Sequence, residues 1–431
     1  MLTLIVPICA LLMGMGLLLL GSGLLNTLLA LRGGFEGYSD SAMGVIMSGY
    51  FIGFIVGTYL ALPLIKRIGH IRAFAFCAAF ISCFALLHVI FISPLAWFVL
   101  RVATGTALVI LYTVVESWLN RQTPAVQRGK VFAIYTAVNL LAMALTQQFL
   151  RLGDVNSFLL FALSAIFVSI SVAAITWTRM EQPVVHDVSR MKLSRIWAVA
   201  PVAVAGAVFS GLVMGAFWGL GPLYAIRVGL EDAAVGTFIS LSILGGALCQ
   251  YPFGRYSDTQ DRRKVLLVIS VAGAVAAILL AALSFAGNWL FVAGAIYGGM
   301  AFAIYPVAVA HLIDHLDAGD ILAGGTTLLL LHGAAAAASP ALAGVLMDNL
   351  GPQALALYFF AVFIILALFT RRQLLRKVTD EAESPAEFVA MVRTTPTALE
   401  MLPDEQLEEP LEGSSEEQFE VSLEDDGEAQ Q

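Results

Sequence analysis

The sequence predicts an all-α membrane protein of twelve transmembrane helices arranged as two related six-helix bundles. Three observations predict it. Of the 431 residues, 59% are hydrophobic and only 13% charged, a balance outside that of soluble globular domains. Apolar stretches of about 20 residues, long enough to cross the hydrocarbon core as helices with every backbone group paired internally, recur almost end to end. Lys and Arg collect in every second connection, an alternation that a missed or split span would scramble.

Gly, Pro and charge clusters punctuate the chain. Span 1, near 4–31, is too long and too glycine-rich for a signal peptide and lacks a basic leader, so it is expected to be retained. Span 2, near 42–64, stops at Lys66 and Arg67, and span 3, near 73–92, begins after Arg72. Span 4, near 95–119, opens after Pro94 and stops before Arg121; span 5, near 132–152, follows Arg128 and Lys130; span 6 lies near 157–178. The second half repeats the plan near 197–226, 232–256, 265–286, 288–313, 321–347 and 353–370, divided by Glu231-Asp232, by Arg262-Arg263-Lys264, by Gly287, by an acidic loop and by Gly351-Pro352.

One set of connections carries Lys66, Arg67, Arg72, Arg121, Arg128, Lys130, Arg179, Arg190, Lys192, Arg195, Arg255, Arg262, Arg263 and Lys264, then Arg371, Arg372, Arg376 and Lys377 after the last span; the other offers Arg32, Arg151 and Arg227. Basic loops resist translocation, so both termini are expected in the cytoplasm of a multi-pass inner (plasma) membrane protein. The expected organisation is an N-terminal bundle over 1–178, a cytoplasmic linker over 179–196, a C-terminal bundle over 197–370 and an acidic disordered tail over 371–431. The formal net charge of −8 belongs mainly to residues after Thr379, which are too poor in apolar side chains to bury a core. The four cysteines all fall inside apolar spans and show no metal-ligand spacing, so neither a metal nor a cofactor is expected.

The loop after span 8 reads Gly254-Arg-Tyr-Ser-Asp258-Thr-Gln-Asp-Arg262-Arg263-Lys264. It resembles the signature loop of the major facilitator superfamily, which recurs after helices 2 and 8 of that fold. Leu62 to Arg72 stands at the equivalent place in the first half as a degenerate copy, with Leu62 where the family has Gly and Lys66 where it has Asp. Arg101 and Gly105 resemble the family's Arg-x-x-x-Gly pattern in helix 4, and Glu116 with Arg128-Gly129 its acid-then-Arg-Gly arrangement. Gln250-Tyr-Pro252 is similar to a bacterial branch whose substrates are mostly unassigned. Span 5 has no Gly-Pro pair, hence no match to the drug–proton antiporter motif. The resemblance covers residues 1 to 377 and implies alternating access around a cavity lined by helices 1, 4, 7 and 10.

A polar side chain inside a span is costly unless it faces the bundle interior, a partner or water. At 100° per residue Arg101, Gly105, Tyr112 and Glu116 share one stripe of span 4. Span 1 adds Ser22 and Asn26, span 7 Trp218, span 8 Gln250, span 10 Tyr297 and Tyr305, and span 11 His332. With Arg101 and Tyr112 these are the candidate cavity residues. They suggest an amphipathic chamber with one fixed positive charge, suited to a neutral, amphiphilic or anionic small molecule. Glu116, Arg128, Asp258, Arg262, Arg263, His311, Asp314 and His315 are candidates for gating or coupling. The loop after span 10 has no base and carries Asp314, Asp317 and Asp320. Since the first-half loop has lost its acid, a latch of reversed sign is expected, Lys66, Arg67 or Arg72 to Asp317 or Asp320, with Asp258 facing Arg128 or Lys130.

None of the five lysines precedes Ser or Thr, so no phosphate-binding loop of the Gly-Lys-Ser/Thr kind is present. Transport driven by a gradient is therefore expected, with a proton as the natural coupling ion, the lipid bilayer and a small molecule as partners, no nucleic acid, and a monomer as the working unit. An enzyme would need a convergent side-chain set, and His311, Asp314 and His315 form the one cluster of that kind, with Asp314 about 100° off the histidines. The other alternative is a transporter-derived sensor or scaffold that acts through its tail.

Overall fold

The computed structural model describes residues 2–124, 127–177, 183, 190–376, 388–391 and 395. Fourteen α-helices are found among them. In the first half these are α1 (Leu2–Phe35), α2 (Asp40–Ile68), α3 (His70–Ile90), α4 (Pro94–Gln122), α5 (Arg128–Thr146), extended by a 3-10 turn to Leu152, and α6 (Phe158–Thr176). A short α7 (Leu193–Val199) precedes the second half: α8 (Pro201–Arg227), α9 (Asp232–Thr259), α10 (Arg262–Ala282), α11 (Trp289–Ala301), α12 (Ile304–Ile313), α13 (Ile321–Leu350) and α14 (Ala354–Leu375). Among the described residues twelve spans are long and apolar enough to cross a membrane, with α11 and α12 forming one of them.

Local chemistry sets the ends. The Ser39 and Ser93 hydroxyls accept the Ala42 and Ala96 N–H groups at 3.1 and 3.2 Å, capping α2 and α4. Gly69, at φ 82°, turns the chain between α2 and α3 in a conformation that a side chain would strain. The sequence reading ran span 7 unbroken from 197 to 226. The chain instead breaks at Ala200 before Pro201, because proline disfavours helical geometry in the residue before it and suits the first position of a new helix.

Prolines also shape the interior. Pro306 has no N–H for the Phe302 carbonyl four residues back, and span 10 breaks there, with α11 ending at Ala301 and α12 starting at Ile304. Gln250 Nε2 donates to that carbonyl at 3.2 Å. Pro222 likewise deprives the Trp218 carbonyl of its intrahelical donor, and Asn26 Nδ2 donates to it at 2.9 Å. Two backbone acceptors that hydrocarbon could not solvate are thus satisfied by amides from other helices.

Within the first half α2 packs on α4 and α1 on α6; within the second α9 packs on α11 and α10 on α14. Gly105 lets α4 approach the Tyr50 carbonyl of α2, and Gly298 lets α11 approach the Ser242 carbonyl of α9. The halves meet chiefly where α2 lies against α13 and where α5 with its 3-10 extension lies against α9. Spans 1 to 6 and 7 to 12 therefore form the two bundles. The end of the molecule bearing Lys66, Arg72, Arg128 and Arg262 is called the basic end below, and the opposite one the far end.

Candidate functional site

A cavity of about 90 Å³ lies between the bundles. Tyr50 and Phe54 of α2 face it from one half, and Trp218 of α8, Phe302 and Tyr305 at the α11–α12 break, and His332 of α13 from the other. The Tyr305 ring packs on His332 at 4.6 Å, and Trp218 on Phe302 at 5.9 Å. His332 Nδ1 lies 3.3 Å from the Ala207 carbonyl, while the buried Ser210 and Tyr305 hydroxyls have no partner among the described residues. No charged side chain lines the cavity among the described residues. Such a chamber offers ring faces and a few neutral hydrogen-bonding groups.

The far end is closed. Gly44 of α2 sits against the Pro340 carbonyl of α13, Gly344 of α13 against the Asp40 carbonyl, and Gly219 of α8 where a Cβ would come within 2.9 Å of Pro340 Cβ. At the rim the Asp348 carboxylate accepts the Asp40 and Ser41 N–H groups at 2.8 and 3.0 Å, an acid of one half capping a helix of the other. Arg227 pairs with Asp40 at 2.9 Å. Below the rim Arg101 donates to Asn26 Oδ1 at 2.6 Å and stands 4.7 Å over the Tyr50 ring, while Asn26 reaches across to Trp218. Neither lines the cavity itself: Arg101 backs Tyr50 and Asn26 holds Trp218, the two roof residues that do, and the Asn26–Trp218 bond ties the halves together.

At the basic end part of the C-terminal tail lies between the bundles. Met391 reaches the cavity and is one of its lining residues. Glu116, fully buried on α4, accepts the Tyr135 hydroxyl at 2.8 Å and the Thr395 N–H at 3.1 Å, and also the Thr395 hydroxyl. Asp258 Oδ1 accepts the Phe388 N–H at 2.9 Å.

The family profile described as Major Facilitator Superfamily matches residues 8–231 and 203–402. The chain belongs to that superfamily. It is 31% identical over 377 residues to the uncharacterized MFS-type transporter YcaD of Escherichia coli O7:K1, covering 85% of this chain and 95% of the relative. Among solved structures the nucleoside transporter NupG superposes with a TM-score of 0.71 at 14% identity over 86% of this chain and 100% of that one. A bacterial homologue of the lysosomal transporter Spinster, in an inward-facing and occupied conformation, gives 0.68 at 14% identity over 88% and 98%. These likenesses show the fold. The chain is a major facilitator membrane transporter and not an enzyme.

In this major facilitator, Trp218, Tyr305 and His332 line the cavity. Gln250 stands beside it, donating to the Phe302 and Met391 carbonyls at 3.2 Å each. Besides Asn26 and Arg101, three further cavity candidates do not line it. Tyr297 is buried in the second bundle with its ring 4.6 Å from Phe359, because α11 presents that face to α14 and not to the cavity. Tyr112 is buried inside the first bundle, 6.3 Å from Phe54. Ser22 is half-buried on α1, whose flanking Gly21 and Gly23 pack on α6 and α5.

The gating candidates sort differently from the expected latch. Asp320 is engaged by Arg195 of the linker segment at 2.6 Å, within the second half. Asp258 pairs with Arg262 at 3.6 Å, and Arg262, buried on α10, pairs with buried Asp314 at 2.6 Å. Asp258 thus turns to its own half and to Phe388, not to Arg128 or Lys130. The closer bases capture these acids, and sequence spacing gives no view of such competition. His311 and His315 contact each other at 4.5 Å, while Asp314 turns to Arg262, so the three do not converge. Arg263 chelates Asp261 at the start of α10. Burial there works to raise the Asp261 carboxyl, but the Arg263 hydrogen bonds and charge outweigh it and hold it below the usual carboxylate range. Lys66 and Arg67 lie in the last turn of α2, Arg72 in the first turn of α3 and Arg128 at the start of α5, and Asp317 precedes the 3-10 turn Ala318–Asp320.

The sequence reading assigned residues 371–431 to a disordered tail. Instead α14 continues to Leu375, and Phe388–Met391 and Thr395 are held between the bundles; the rest of that tail, and most of the 179–196 linker, lie outside the described residues. The signal present in the sequence was the run Phe388-Val-Ala-Met391-Val, an apolar patch in an acidic tail.

Proposed function

We propose that this transporter carries a small neutral or amphiphilic organic solute by gradient-driven alternating access, with the basic end and both termini in the cytoplasm of the inner membrane. The observation that carries the reading is the cavity itself, formed by both halves, closed toward the far end and furnished with aromatic faces, Ser210, Tyr305 and His332 but no lining charge among the described residues. A metal ion or polycation would lose hydration there without recovering it. A flat, neutral solute of the nucleoside kind, as the name of NupG indicates for that protein, gains ring contacts and two unoccupied hydroxyls. Arg101 is absorbed by Asn26 and Tyr50, so it acts as a positioning residue for the roof and not as an anion clamp. Glu116 is the preferred proton carrier, being a fully buried carboxyl in hydrogen-bond contact with Tyr135.

The test is a thermal-shift panel of nucleosides, sugars, organic acids, amphiphilic amines and divalent cations, followed by counterflow in proteoliposomes. A neutral or amphiphilic hit should raise the melting temperature by mass action, and Trp218→Ala should weaken its uptake. Hits confined to divalent cations, or uptake indifferent to both Trp218→Ala and Tyr305→Ala, would overturn the reading. Glu116→Gln should abolish uphill accumulation while leaving exchange; retained accumulation would remove Glu116 from the coupling role.

A further inference from the structure

We propose that the basic-end mouth is a binding groove for an extended peptide, and that its resident ligand is this chain's own C-terminal segment beginning at Phe388, which plugs the substrate path. Four polar side chains from the two halves engage the segment's backbone. Asp258 and Gln250 of α9 take the Phe388 N–H at 2.9 Å and the Met391 carbonyl at 3.2 Å. Thr136 of α5 donates to the Ala390 carbonyl at 3.3 Å, and Glu116 of α4 takes the Thr395 N–H at 3.1 Å. Both partners on α9 belong to the second half and both others to the first, so the segment bridges the bundles.

Side chains add register. The Phe388 ring lies directly on Gly254, where any Cβ would collide with it, so the glycine of the signature loop opens a seat for an aromatic ring. Three residues on, Met391 is buried to 3% exposure and lines the central cavity beside Trp218 and Tyr305. With Met391 in place the cavity is about 90 Å³, well below the roughly 300–1,000 Å³ of pockets that enclose drug-sized ligands. The substrate and Met391 therefore compete for one space. Charge assists delivery: seventeen Asp and Glu but a single base, Arg393, follow Thr379, and the end of the molecule where Phe388 and Met391 are seated carries Lys66, Arg67, Arg72, Arg128 and Lys130 at its helix ends. Because the segment is tethered, its effective concentration at the mouth is on the order of 1 mM, so even an affinity on the order of 0.1 mM keeps it seated about ten to one. The bridging contacts hold the basic end in one arrangement, and withdrawal of the tail becomes the step that releases the transporter.

The contact stands apart from the transport reading, which supplies only its consequence. The experiment therefore reads cavity access and needs no substrate. In a background with Cys9, Cys77, Cys83 and Cys249 replaced, Gly333→Cys introduces a thiol at the cavity wall, where a Cβ meets only Ile55 at 3.7 Å. Its labelling by a methanethiosulfonate bearing a quaternary ammonium group is timed in the full chain, in a chain ended after Arg376, and in full-length Met391→Glu, which places a carboxylate against the uncharged wall. Labelling should be about tenfold faster in the truncated chain, intermediate in Met391→Glu, and slowed again when a synthetic peptide of residues 388–395 is added at millimolar concentration. If the truncated chain does not stay monodisperse, Met391→Glu alone decides. Equal rates in the full chain and Met391→Glu, or in the full and truncated chains, would overturn the plug whatever the flux assays return.

Discussion

Asn26→Ala should shift the balance between the far-end-closed form and the form open at that end, and Pro222→Ala should cancel much of the shift. In the structure the Asn26 amide crosses from α1 to the Trp218 carbonyl on α8, an acceptor left without a helical donor because residue 222 is proline. Opening the far end breaks that bond and hands the carbonyl to water, so the net value of the bond is what opening loses. A net neutral hydrogen bond contributes about 0.5–1.5 kcal/mol, so its removal shifts the opening equilibrium by roughly 2- to 12-fold. The bond from Arg101 to Asn26 lies inside the first half and persists in both forms, so its loss lowers stability without moving the equilibrium. In the Pro222→Ala background an N–H is again available to the Trp218 carbonyl, and Asn26→Ala should then shift the balance by less than half as much. Spin labels at Ile92 and Asn349, on the two halves at the far end, report the open and closed populations by pulsed dipolar spectroscopy. A shift of equal size in both backgrounds, or none in either, would refute the role given to the freed carbonyl, since the double-mutant cycle isolates that term.

Three further outcomes follow from other contacts. Arg262→Met leaves the buried Asp314 carboxylate without its 2.6 Å cation and should lower stability by about 3–5 kcal/mol, while Arg262→Met with Asp314→Leu should recover most of it, as read by thermal unfolding in detergent. Asp348→Ala removes a cap on α2 supplied by the opposite half; because the carboxylate is water-exposed the cost is at most about 1 kcal/mol, seen as a larger open population with the same spin labels. Asp261 has a folded-state pKa below its unfolded value, so its contribution is present above the ordinary carboxylate range and is lost as pH falls through the depressed value. Asp261→Asn should flatten the acid side of a stability–pH profile; an unchanged profile would show that the Arg263 contact does not hold α10.

The twelve spans and the basic end were legible because bilayer thickness and loop charge leave their marks in one dimension. Asn26, Arg101 and Gln250 were legible as amides and a base where hydrocarbon would exclude them, although their work is to satisfy one another and two proline-freed carbonyls. The break in span 10 could have been read from Pro306, whose missing N–H falls opposite Phe302, but hydropathy averages across it. Tyr297 was misplaced because a helical face that is polar at one residue can still be packed against its own bundle. The acids of the loop after span 10 were assigned across the molecule because charge sign says nothing of distance, and Arg195 and Arg262 lie nearer. The tail was averaged away: a few apolar residues inside an acidic stretch vanish from composition, yet Phe388 and Met391 find seats prepared by Gly254 and the aromatic wall.

The glycine and proline seam between α2 and α13 sets how the far-end gate can behave. Lipid tails exert no squeeze on apolar helices, so two smooth backbones cohere only while in register and at close range. Such a junction lets go over a short displacement and exposes little greasy surface to the water that follows. One added methyl group should disturb it more than a change of salt or acidity, and ionic tuning is left to the ring of charges at its outer lip.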